Sequence, residues 1–221
     1  PVGGASLRDL RVLVSSSLLQ YTPEGRYEMH ELLRQYAEER LEVSPAEAEA
    51  ARGRHSAYYL AALERWESEL KGPRQLVTLA EMDAELSNVR AAWERAVERR
   101  DVERLNKAIE GLCLYYEWRE RHREAELLLG RAAEALDPIV FPRRTSRAPP
   151  VAVRALAKIL AWQAYFASEH KTSPRLIERC WTLLADPALS GADAWRDRAS
   201  ALVHLGVADV ADHLIRSQRG S

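Results

Sequence analysis

Cysteine is scarce in this sequence: among 221 residues only Cys113 and Cys180 occur, far apart and each in an apolar, helix-like context. That excludes the paired framework of small secreted domains and points to a reduced, cytoplasmic compartment. Long apolar runs are lacking as well. With no stretch of about 18 apolar residues and no charged n-region leading into an apolar h-region, neither a membrane span nor a signal peptide is expected. Net charge is also missing, since 32 basic residues face 33 acidic ones. No global field therefore holds the chain to nucleic acid or an anionic membrane. What is present, 47% hydrophobic and 29% charged residues, suffices for one large core or two small ones and argues against disorder. The chain opens at Pro1 without a methionine and reads as a fragment whose active parts lie elsewhere.

Catalytic motifs are equally sparse. There is no G-x-x-x-x-G-K-[ST] and no G-x-G-x-x-G, hence no phosphate cradle and no nucleotide cofactor expected in this chain. His30-Glu31 begins like the zinc pattern H-E-x-x-H, but Arg34 fills the second histidine position and a guanidinium cannot ligate a metal. Ser168 to Lys171 spells S-x-x-K without the companion motifs of a penicillin-binding site. His55, His122, His170, His204 and His213 stand singly, where packing or surface roles are the rule. Carboxylates such as Glu38-Glu39 and Glu98 alternate with arginines and read as solvated helix faces. The chain is therefore expected to be no enzyme, with no catalytic and no metal residues. Tyr58, Tyr59, Trp66, Trp93, Tyr115, Tyr116, Trp118 and Trp162 recur at helical spacing, which suits core better than a ligand lining.

The apolar periodicity predicts an all-α fold with one small ribbon. Ser6 can cap a helix over 6–19 whose stripe of Leu7, Leu10, Val14 and Leu18 should pack inward. Leu19–Tyr21 and Arg26–Met29 flank a Thr-Pro-Glu-Gly turn and form a two-stranded ribbon. A second helix starts at His30, so residues 1–43 read as helix, ribbon, helix, the ending of a winged helix. Ser44-Pro45-Ala46-Glu47 is a helix start of the capping-box type. From there to 136 stripes built on Trp66, Trp93, Tyr116 and Leu136 predict stacked antiparallel helices. Residues 137–150, with four prolines and three arginines, read as an exposed loop. Helices resume over 151–221, with Ala161, Ala164 and Gly206 at close contacts.

SSSLLQ followed by RYEMHELLRQYAEERL resembles the end of the winged-helix domain of STAND-type signal-transduction ATPases, including bacterial LuxR- and AfsR-like regulators. RHSAYYLAAL and the block EMDAELSNVRAAWERAVERR through AAEAL are similar to the helical region that follows it, so the resemblance covers roughly 6 to 136. From 151 the chain resembles degenerate tetratricopeptide repeats. The resemblance implies a helical-hairpin array acting as a regulatory sensor or interaction arm. It would bind an inducer or protein on its surface while an ATPase module in cis holds ATP or ADP. Met29-His30-Glu31 matches the family's Met-His-Asp-like motif, with glutamate for aspartate. It implies that His30 touches the phosphates of ADP, near backbone N–H groups at a helix start that favour anions. Two rivals are a DNA-binding winged-helix module, for which Arg8, Arg11 and Arg26 are few, and a helical hydrolase, for which no residue set meets the geometric requirements.

Overall fold

A computed structural model describes residues 6–23, 25–141, 148–167, 174–191 and 196–207. The chain is mostly helical with one two-stranded sheet, and divides into two compact units, Pro1–Tyr58 and Tyr59–Ser221.

In the first unit, α1 (Leu7–Ser15) begins at a reciprocal cap: the Ser6 hydroxyl accepts the Asp9 N–H while the Asp9 carboxylate accepts the Ser6 N–H at 2.8 Å. The Ser6 hydroxyl also donates to the Asp9 carboxylate at 2.7 Å, and this bond, with that from the Ser6 N–H, holds the Asp9 carboxyl below its ordinary range. Strands β1 (Gln20–Tyr21) and β2 (Tyr27–Glu28) pair antiparallel, Tyr21 opposite Tyr27 with ring centroids 5.2 Å apart. Gly25 takes the left-handed φ of +80° that the turn requires. Helix α2 (Glu31–Glu42) follows, and α3 (Pro45–Leu70) begins after Ser44.

Helix α1 does not pack inward as its stripe predicts. No residue of α1 or of α2 is buried; Leu7, Leu32 and Tyr36 are largely exposed. Within this unit only Leu19 and Ala48 are buried apolar side chains among the described residues. So few residues cannot fully surround two helical faces, and Leu10, Val14, Leu33 and Leu41 stay only half-buried. The first helix is also shorter than its periodicity, ending at Ser15 because Ser17 turns to a φ of 59°.

In the second unit α3 continues to Leu70, followed by α4 (Gln75–Arg99), α5 (Val102–Trp118), α6 (His122–Val140), α7 (Pro150–Ala167), α8 (Pro174–Leu184), a 3₁₀ turn (Pro187–Leu189) and α9 over 196–207. From α4 to α7 the helices pack on their neighbours and on the next but one: α4 on both α5 and α6, α5 on both α6 and α7. Helices α3 and α5 approach so closely at Gly111 that a Cβ there would sit 2.1 Å from the Leu63 carbonyl oxygen. Trp66, Trp93, Tyr115, Tyr116 and Trp162 are buried in one core, whereas Tyr58 and Trp118 are exposed. Helix α7 is buried on every face, which marks a central helix.

Two expectations need correction here. Helix α6 does not stop at 136 but runs through Pro138 to Val140. Proline in the last turn forfeits a single helical hydrogen bond, and burial of Val140 with Ile139 against the core favours continuation. Residues 142–147 of the expected loop lie outside the described residues. Among the described residues Gly206 is not at a close contact, for none of them would meet a Cβ there within 4 Å; Ala161 and Ala164 are fully buried. No helix among the described residues is long and apolar enough to cross a membrane.

Candidate functional site

Among the described residues two polar places stand out, one in each unit. In the first, His30 is the N-cap of α2 and its Nδ1 accepts the Leu32 N–H at 3.3 Å. The cap engages the unprotonated nitrogen, so the neutral ring carries its proton on Nε2. Met29 is exposed. Glu31 is committed to its own helix, accepting both Arg34 Nη2 at 2.7 Å and Arg34 Nε at 2.8 Å, with Gln35 at 3.0 Å. The Arg34 bonds draw its carboxyl down to about 2. Arg34 thus acts as the partner of Glu31, and among the described residues no group of three or more His, Cys, Asp or Glu could hold a metal.

The second place was not predicted from sequence. Three polar stripes at helical spacing converge: Asn106 and Glu110 on α5, Arg154, Lys158 and Trp162 on α7, and Asp197, Ser200 and His204 on α9. Lys158, 3% exposed, donates to the Asn106 carbonyl oxygen at 2.6 Å and pairs with Asp197 Oδ1 at 2.9 Å. Asp197 Oδ2 lies 3.5 Å from Arg154 Nε and accepts Asn106 Nδ2 at 3.4 Å. Buried Glu110 accepts the Ser200 hydroxyl at 2.6 Å and the Trp162 indole N–H at 3.3 Å. His204 stacks on Trp162, centroids 3.5 Å apart. Two turns further along α5, Glu117 accepts the Tyr165 hydroxyl at 2.7 Å and lies 3.2 Å from His122 Nε2.

This network contains serine, histidine and a carboxylate but not the relay of a nucleophilic enzyme. Ser200 donates straight to Glu110, and His204 Nδ1 faces the Ser200 carbonyl oxygen at 2.8 Å rather than the hydroxyl. The thiols are no better poised: burial pushes Cys113 far up and Cys180 up to about 12, so neither offers thiolate near neutrality. Ser168 to Lys171 lie outside the described residues.

What the network does is fix α9 on α5 and α7, with two buried apolar side chains, Ala201 and Leu205, beneath it. Burial holds the His204 pKa below its ordinary value, against the opposing pull of Glu110 and Glu117. A folded-state pKa below the unfolded one contributes stability above pH 6.5 that is lost as pH falls through the folded value. The urea midpoint of the wild type should therefore fall between pH 7.5 and 5.5. His204→Phe, which keeps a ring on Trp162, should flatten that dependence; an unchanged slope would show that His204 is not its source.

The signal that could have exposed this site is Lys158, which with Arg154 makes up the only charges of an otherwise apolar α7. A lysine in a helix buried all round must find a partner. No family model matches the chain, and no curated protein or solved structure matches it either.

Proposed function

We propose that this chain is the regulatory sensor arm of a STAND-type ATPase switch, with no catalytic activity of its own. In this reading residues 1–43 of the first unit are the end of a winged helix that docks on a nucleotide-binding module in cis. The second unit is a tetratricopeptide-like array that takes an inducer or protein, in the cytoplasm. The observation that carries it is that α1 and α2 bury no residue fully: Leu10, Val14 and Leu33 are only half-buried and Leu7, Leu32 and Tyr36 are exposed, which makes a face suited to cover something else. The neighbour-and-next-but-one packing of α4 to α7 supports the repeat-like part, since stacked repeats bury their core in that way.

His30 fits the nucleotide contact chemically. Its capping bond leaves Nε2–H as a donor, beside α2 backbone N–H groups whose partial positive charge favours phosphate. Glu31, tied to Arg34, serves the helix and not the nucleotide.

In the protein joined to its ATPase module, His30→Ala should speed ADP release about tenfold, the worth of one hydrogen bond to a charged oxygen. Basal output should rise with it. Release of a fluorescent ADP followed by stopped flow gives the rate; an unchanged rate would contradict the role of His30.

A further inference from the structure

We draw no further inference here: the strongest candidate, the groove of about 470 Å³ between α6, α7 and α8, in which Asp137 is already paired with Arg179, rests on the acidic side chains of Glu126 and Glu134 alone, with nothing among the described residues to show what would cover them.

Discussion

Asp197→Ala should lower the stability of the second unit by about 3–5 kcal/mol in urea denaturation, because it strands the Lys158 ammonium in the core. The side chains of Lys158 and Asp197 are 4% and 17% exposed, so the ammonium is left largely shielded from water once the carboxylate is gone. The Asn106 carbonyl oxygen remains within 2.6 Å, but one neutral acceptor does not balance a buried charge, and added salt will screen little at this depth. Removing both partners has a different result. Lys158→Met with Asp197→Leu should come within about 1 kcal/mol of wild type or exceed it, since a buried ion pair seldom outweighs its own desolvation. If the single and double variants lose equal stability, the pair is not the reason for the loss. The comparison also reports on α9, which Asp197 and Ser200 tie to α7 and α5.

The second large effect is expected at Gly111. A methyl group there would lie 2.1 Å from the Leu63 carbonyl oxygen and 2.9 Å from its carbon, both backbone atoms that cannot rotate away. Gly111→Ala must therefore push α3 and α5 apart through a core containing Leu63 and Leu112, at a cost of about 3 kcal/mol, the upper part of the usual overpacking range. Gly53→Ala is the matched control, since nothing lies within 4 Å of a Cβ at that helical position. It should stabilise by roughly 0.5–1 kcal/mol through helix propensity alone. Opposite signs at two helical glycines would show that close approach, not backbone freedom, decides the first. A loss below about 0.5 kcal/mol at Gly111 would mean that the helices are not held so near each other.

Much of the fold was legible because its signals are local. The Ser6 cap, the Gly25 turn, Ser44-Pro45 and the stripes around Trp66, Trp93 and Tyr116 each act within a few residues, and the elements form where those signals stand. The misreadings share a cause, for each depended on what an element meets in space. Leu7, Leu10 and Val14 make a regular stripe, but whether it is covered depends on what surrounds it, and the described residues leave Leu7 exposed and Leu10 and Val14 only half-buried. Pro138 is a helix breaker by local rules, yet Val140 behind it has a place in the core. Gly206 looked like a contact glycine and Gly111 did not, because only the partner helix distinguishes them.

The polar site shows the limit most clearly. His204 stands alone in sequence, and Ser200 is 90 positions from the Glu110 it donates to. No spacing pattern within one helix can reveal a network assembled from α5, α7 and α9. His30 is the reverse case: the motif is readable at once, and the structure adds its cap, its tautomer and the commitment of Glu31 to Arg34.

The proposed regulatory role stands or falls on whether α1 and α2 are docking elements, and amide hydrogen exchange addresses this most directly. In this chain alone, amides of α1 and α2 should exchange orders of magnitude faster than those of α5 and α7, since exposed helices without buried side chains open locally. In a polypeptide that includes the nucleotide-binding module, the same amides should become strongly protected when ADP is bound. Core-like protection of α1 and α2 in the chain alone, or no gain of protection with the module and ADP present, would contradict the account.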